Sequence, residues 1–260
     1  HRDLHSFPTR RSSDLNTASG KEPKKWIYRH SYNVRICHWI VVISFAYLVV
    51  SGVNIFLDFP ELYWGKVGFQ GYPAAFKLSD WGISWEEAGA MGNRRWGRNY
   101  HFLFAWVFVI NGFIYLSWNL WRKQFYRKML PRRDELSLSH LKVEIINHLR
   151  FRKPQGDRAR GYNVLQKISY LLVLFLLFPF MILSGLAQMP AFTAISPELI
   201  DLFGGRQTAR TLHVVATVVL LLFVIIHVIE VFVVRVVNAM RSMITGKYVL
   251  PEEEQEQETT

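Results

Sequence analysis

Residues 210–238 of the chain are RTLHVVATVVLLLFVIIHVIEVFVVRVVN, and this stretch decides the fold. It is almost wholly apolar and exceeds the roughly 20 helical residues that cross the hydrocarbon core of a bilayer. Two histidines interrupt it, His213 and His227, so that about four helical turns and about 21 Å separate two rings on one helix face. Either histidine alone is more often a packed core residue. Ionisable groups inside a membrane are nevertheless costly and usually functional, so the pair predicts two stacked cofactors.

Three further apolar spans, at 36–57, 100–121 and 164–188, accompany the span at 211–237. Each is long enough to cross a bilayer as a helix, which satisfies its own backbone hydrogen bonds in lipid. The 260 residues are 50% hydrophobic and 15% aromatic, as expected for one compact membrane domain. We therefore predict an all-α fold, an integral membrane four-helix bundle with an extended outer loop between helices one and two.

The basic residues predict the orientation of the chain in the membrane. A net charge of +11 is also typical of nucleic-acid binding, but the Lys and Arg residues flank the apolar spans, so no nucleic-acid partner is expected. Segment 122–162 is strongly basic, whereas the connection between the third and fourth spans carries only Arg206 and Arg210. Because Lys and Arg concentrate in cytoplasmic loops, both termini are predicted to be cytoplasmic in a multi-pass protein of the bacterial inner membrane. Five basic residues in the first loop weaken this prediction without reversing it.

The chain is predicted to have three parts. Residues 1–28 form a non-native or disordered lead, 29–248 the four-helix membrane domain, and 249–260 an acidic disordered tail. Residues 1–15 are expected to be read-through from a cloning or sequencing adapter. The lead has no apolar stretch and so cannot act as a signal peptide. Cys37 is the one cysteine, which excludes an internal disulfide and a four-cysteine iron–sulfur cluster.

The predicted orientation sorts four intramembrane histidines into two levels. His38 opens the first helix at the cytoplasmic side, whereas His101 opens the second at the outer side. On the fourth helix, His213 is near the outer face and His227 lies towards the cytoplasm. Ligation of two b-type haems, one by His101 with His213 and one by His38 with His227, uses all four histidines. It leaves no open position on either iron, which suits electron transfer. A zinc site is disfavoured because each pair supplies two imidazoles and not four ligands.

Three arginines each stand three residues before a proposed ligand: Arg35, Arg98 and Arg210. One helical turn back at a membrane surface, a guanidinium is well placed to pair with a haem propionate. The alternative interpretation is that these arginines extend their side chains from helix ends to water. Both interpretations stay open.

Two glycines lie on the ligand faces of their helices. Gly52 is fourteen residues after His38, and Gly112 is eleven residues after His101, both close to whole numbers of turns. A missing side chain at these positions leaves room for a flat macrocycle. The alternative is that small residues simply let helices pack closely.

The chain resembles the membrane cytochrome b subunits of formate dehydrogenase (the gamma subunit) and the b-type cytochromes of nickel–iron hydrogenases. It is most similar to the thiosulfate-reductase-type cytochrome b branch. Most of residues 29–248 carry the resemblance, in the segments RICHWIVVISFAYLVVSG, WGRNYHFLFAWVFVINGFIYL, GYNVLQKISYLL with MILSG, and RTLHVVATVVLLLFVIIH followed by SMITGK. The resemblance implies two haem b groups with the same pairing of histidines. It also implies a site for menaquinone or ubiquinone near the cytoplasmic-side haem, where Gln166 matches the family's glutamine.

The function predicted from these features is that of a membrane cytochrome b subunit of a respiratory redox complex. Such a subunit relays electrons through two haems between a periplasmic partner oxidoreductase and the quinone pool, and is not a stand-alone enzyme. As in related systems, a molybdopterin or iron–sulfur protein is the expected class of partner. The alternative is a stand-alone cytochrome b that oxidises superoxide and reduces quinone. A third hypothesis, a membrane anchor without redox function, does not explain four depth-matched histidines.

The outer segment, 58–99, is far longer than a helix connection requires. Its aromatic residues predict a segment that lies on the outer surface over the first haem and offers a docking surface for the redox partner. These residues are Phe59, Tyr63, Trp64, Phe69, Tyr72, Trp81, Trp85 and Trp96.

Glu230 lies one turn after His227 on the fourth helix. Two interpretations are open: it relays a proton, or it forms a hydrogen bond within the bundle.

Overall fold

The computed structural model describes residues 26–122, 130–132, 135–149 and 163–249. In chain order the elements are β1 (Trp26–Tyr28), α1 (Tyr32–Asp58), β2 (Glu61–Leu62), β3 (Phe76–Lys77), α2 (Trp85–Met91), α3 (Arg94–Trp121), α4 (Leu138–Leu149), α5 (Val164–Leu186), α6 (Pro190–Thr193), α7 (Glu198–Leu202), α8 (Arg206–Thr245) and β4 (Lys247–Val249). Helices α1, α3, α5 and α8 are long and apolar enough to span a membrane. The predicted all-α, four-helix, multi-pass membrane fold is therefore confirmed.

Helices α1 and α8 extend beyond the predicted apolar spans at both ends, and α3 extends beyond its span at the start. Helix α8 runs on to Thr245 and stops at Gly246, whose φ of 83° is a left-handed conformation that favours glycine. Helix α5 contains a π-helical turn at Val173–Leu177, where the N–H of Phe178 donates to the carbonyl of Val173. Pro179 follows and has no N–H to donate, so the regular pattern is interrupted there.

The bundle consists of two antiparallel helix pairs. Helix α1 packs closely along α3, and the last part of α5 packs against α8, whereas few contacts join α1 to α8. Asn111, late in α3, donates to the carbonyl of Cys37 at the start of α1, at 3.0 Å. At the other end of this pair, Gly97 lies against Asn54 and Ser51. Two tightly packed pairs with sparse contact between them leave the space in which the histidines lie.

A two-stranded antiparallel sheet joins the start of α1 to the end of α8. In it Trp26 pairs with Val249 and Tyr28 with Lys247. The indole of Trp39 donates to the carbonyl of Met243 at 3.3 Å, which strengthens the same junction. Residues 26–28, at the end of the predicted lead, form the first strand of this sheet. The rest of the predicted lead and residues 250–260 of the acidic tail lie outside the described residues, as does much of the basic segment 122–162.

The outer segment between α1 and α3 folds around Tyr63 and is attached to the start of α8. The ring of Tyr63 is fully buried, and its hydroxyl donates to the Glu61 carboxylate and the Phe69 carbonyl. The carbonyl of Gly65 accepts from the N–H groups of Gln207 and Thr208, at 3.1 and 3.2 Å. These N–H groups are among those that a helix leaves unpaired in its first turn. The outer segment therefore caps α8 one to two turns before His213.

Candidate functional site

His101 on α3 and His213 on α8 face each other across the space between the two helix pairs. Their ring centres are 6.2 Å apart. A metal ion bound by both imidazoles at about 2 Å from each nitrogen sets the ring centres about 6 Å apart. Among the described residues no three His, Cys, Asp or Glu side chains come together as a metal site. A pair of opposed imidazoles without further ligands fits the axial ligation of a haem and does not fit a tetrahedral zinc site.

Hydrogen bonds fix which nitrogen of each ring is available. Nδ1 of His101 lies 3.1 Å from the hydroxyl of Ser51. That hydroxyl donates its hydrogen to the carbonyl of Tyr47 at 2.5 Å and therefore accepts from Nδ1–H. His213 has the same arrangement, with Nδ1 2.9 Å from the hydroxyl of Ser184 and that hydroxyl 3.1 Å from the carbonyl of Met181. In both rings the lone pair is therefore on Nε2, the nitrogen through which a haem iron is bound.

A glycine follows each of these serines and lies against the histidine ring. A Cβ added at Gly52 would be 3.5 Å from Cε1 of His101, and one added at Gly185 would be 3.4 Å from Cε1 of His213. Both are ordinary van der Waals distances. A Cβ at Gly112 would meet nothing within 4 Å. The clearance role of Gly52 and Gly112 stays a prediction, and at Gly52 the histidine ring occupies the nearest space.

His38 on α1 and His227 on α8, the second predicted pair, lie near each other. Nδ1 of His38 is buried and has no hydrogen-bond partner within the described part of the chain. His227 packs between aromatic rings, with Phe223 nearly parallel at 6.3 Å and Tyr170 edge-on at the same distance. The two rings supply the same donor set, two imidazoles, as the first pair. The chemistry of this pair therefore also fits a haem.

The arginines predicted to bind propionates have distinct environments. Arg210 donates to the carbonyls of Phe59 and Glu61, the latter at 2.6 Å, and Arg35 donates to the carbonyl of Ile244. Arg98 is exposed at the start of α3. Two of the three guanidinium groups thus hold backbone carbonyls at helix ends. Their propionate role stays a prediction.

Gln166 lies in a polar cluster near the His38–His227 level. Its Nε2 donates to Glu230 at 3.3 Å, and its Oε1 accepts from the N–H of Asn163. The amide of Asn163 donates to the buried carboxylate of Glu144 at 2.5 Å. Glu230 in turn interacts electrostatically with His227. Gln166 is therefore connected to the second histidine pair through Glu230, which lies three residues after His227 on α8.

An ion pair borders this polar cluster. The ammonium of Lys167 lies 2.8 Å from the carboxylate of Glu135. Burial acts to raise the pKa of Glu135, but the hydrogen bonds and positive charges of Lys167 and Arg132 together outweigh it and hold that pKa below the usual value. The charged pair fastens the start of α5 to the segment that precedes it.

Sequence reasoning did not identify Ser51, Ser184, Gly185 or Asn111. A signal for the first three exists, because the dipeptide Ser-Gly occurs in both the first and the third apolar span, in VVSG and ILSG. Asn111 had no comparable signal, since a single amide in an apolar span shows neither its partner nor its direction.

Comparison with known proteins identifies the family of the chain. Residues 29–246 match the family described as prokaryotic cytochrome b561. The chain belongs to this family and is a b-type cytochrome of the membrane, which confirms the resemblance drawn from the sequence. It is also similar to the putative protein-methionine-sulfoxide reductase subunit YedZ1 of Azospira oryzae. The two are 28% identical over 195 residues, which cover 75% of this chain and 85% of that protein.

Proposed function

We propose that the protein relays electrons between a periplasmic oxidoreductase and the quinone pool through two b haems, one held by each histidine pair. The observation that carries the proposal is the placement of the pairs. His213 and His227 are both on α8, about 21 Å apart along its axis at 1.5 Å per residue. The ring centres of His101 and His213 are 6.2 Å apart and His38 lies near His227, which supports one ligand pair at each of two depths.

Each part of the chain has a defined task in this function. The four histidines bind and orient two haems, whose irons supply reversible one-electron transfer. The apolar helices exclude water from the space between the pairs. Gln166 donates a hydrogen bond to a quinone carbonyl at the cytoplasmic boundary. With these assignments the protein connects a two-electron carrier in the lipid to a partner in the periplasm.

The outer segment supplies the docking surface for the partner. It is anchored over the His101–His213 end by Arg210 and Gly65, and it exposes the rings of Trp64, Phe69 and Trp81. YedZ1 of Azospira oryzae is named as a subunit of a reductase, which supports an oxidoreductase as the partner. The expected class of partner remains a molybdopterin or iron–sulfur protein. The termini and the basic segment are assigned to the cytoplasm.

Haem content is the direct test of this proposal. Purified protein should contain about two haems per chain with low-spin spectra, and acidified acetone should extract both because the chain has no C-x-x-C-H motif. One haem per chain, or a high-spin iron, would contradict the two-level arrangement.

A second experiment separates the proposal from the superoxide alternative. Protein in liposomes is mixed anaerobically with a quinol analogue, and in a parallel sample it is exposed to a superoxide-generating system. The proposal predicts haem reduction by the quinol and no partner-free turnover of superoxide with quinone. Sustained quinone reduction driven by superoxide alone would favour the stand-alone enzyme.

A further inference from the structure

The two histidine pairs differ in their hydrogen bonds. In the His101–His213 pair each Nδ1–H is bonded to a serine hydroxyl, at 3.1 and 2.9 Å. In the other pair, Nδ1 of His38 has no such partner among the residues that the structure describes. The same ligand type therefore occurs in two different polar environments within one bundle.

The serine arrangement is repeated on two different helices. Ser51 on α1 and Ser184 on α5 are both fully buried. Each hydroxyl lies close to the carbonyl three residues earlier, Leu48 at 3.2 Å and Met181 at 3.1 Å. Each histidine ring also lies near that same carbonyl. A glycine follows each serine and lies against the histidine ring.

We infer that Ser51 and Ser184 are positioning residues, which hold His101 and His213 as Nδ1–H tautomers and lower the reduction potential of the haem between them. The inference rests on the proposed haem ligation. An Nδ1–H group that donates to an oxygen makes its imidazole a stronger electron donor to iron, which favours the oxidised metal. The potential of the haem between His101 and His213 is therefore lower than it would be without these two hydrogen bonds.

The test is a redox titration of Ser51→Ala and Ser184→Ala, singly and combined, followed at the haem absorption bands and by low-temperature EPR. Each variant should keep two haems, because the carbonyls of Leu48 and Met181 remain as acceptors. The midpoint potential of the His101–His213 haem should shift upward in each single variant and further in the double variant. The potential of the other haem should not move.

Ser44→Ala is the matched control. Ser44 lies on α1 two turns before Ser51 and is equally buried, and its hydroxyl has no hydrogen-bond partner within the described ranges. This variant should leave both potentials unchanged. Unchanged potentials, loss of both haems, or an equal shift in Ser44→Ala would overturn it. Absence of two haems in the unsubstituted protein would instead contradict the proposed function.

Discussion

The guanidinium of Arg210 donates to the backbone carbonyl of Glu61 at 2.6 Å, across 149 residues of sequence. It also donates to the carbonyl of Phe59 and lies 4.9 Å from the centre of the Phe59 ring. Because Arg210 stands one turn before His213, this contact fixes the start of α8 against the outer segment at the level of the first histidine pair. The outer segment is thus part of the support for a haem ligand as well as a candidate docking surface.

Replacing Arg210 by Ala should destabilise the outer segment. The change removes two charge-assisted hydrogen bonds from half-buried carbonyls, for an expected loss of about 2–3 kcal/mol in the free energy of unfolding. Limited proteolysis of the outer segment and thermal unfolding in detergent measure this loss of stability. Arg98→Ala is the matched control, since Arg98 occupies the same place before His101 but is exposed. For Arg98→Ala, a change within about 0.5 kcal/mol in the free energy of unfolding is expected. Equal effects of the two substitutions would show that the contacts of Arg210 contribute nothing beyond its charge.

The stability of the outer segment should fall at alkaline pH because of Tyr63. Burial and the bond to the Glu61 carboxylate raise the pKa of Tyr63 above its usual value. A raised pKa means that the folded state holds this proton more tightly than the unfolded state. The stabilisation is therefore fully present below the usual tyrosine pKa of about 10 and is lost as pH rises above it.

Tyr63→Phe provides the comparison for this pH dependence. The variant should be about 1–3 kcal/mol less stable near pH 8, because the nearly buried Glu61 carboxylate loses a donor. Thermal unfolding of both proteins from pH 8 to 11 should show the stability difference narrowing above about pH 10, because Tyr63 ionises in the unfolded wild-type chain and stays protonated in the folded one. A difference that stays constant over the whole range would rule out Tyr63 as the titrating group.

The sequence was sufficient to identify the four spans and to predict which histidines share a depth. Apolar length identifies the spans, and the connectivity of four membrane-crossing helices alternates their direction, so His101 and His213 come to the same level. The structure brings these two rings together as expected. The long outer segment was also evident, because no helix connection needs so many residues.

The surroundings of the proposed haem ligands could not be predicted from the sequence in the same way. The arginine pattern before each histidine suggested one common role, yet Arg210, Arg35 and Arg98 have different surroundings, since each depends on which chain segment folds back onto the helix end. The strand formed by 26–28 requires residues more than two hundred positions away. Helical periodicity contains no information about such distant contacts. It also could not show that Ser51 and Ser184 face the histidines of neighbouring helices.

Substituting single histidines should separate the two haems. His101→Ala and His213→Ala are expected to remove or convert to five-coordinate the same haem, whereas His38→Ala and His227→Ala affect the other. The fold should be weakened in each case, because a large group that fills the space between helix pairs is lost. Absorption and EPR spectra of the four variants measure the pairing. If His38→Ala and His213→Ala abolished the same spectral component, the pairing by depth would be wrong.

The site of quinone binding is tested by Gln166→Leu. The amide of Gln166 carries two N–H donors, one of which bonds to Glu230, near His227. Quinone reduction consumes two electrons and two protons, and at this boundary the protons come from the cytoplasm. Loss of one hydrogen bond, worth about 1.4 kcal/mol, should slow haem reduction by a quinol analogue about tenfold and leave both haem spectra nearly intact.

Trp64→Leu, in the outer segment, tests the alternative quinone pocket beside the His101–His213 level. Trp64, Trp81 or Trp96 would border that pocket. It should leave the quinol rate unchanged. Normal kinetics in Gln166→Leu together with slow kinetics in Trp64→Leu would move the quinone site to the outer side.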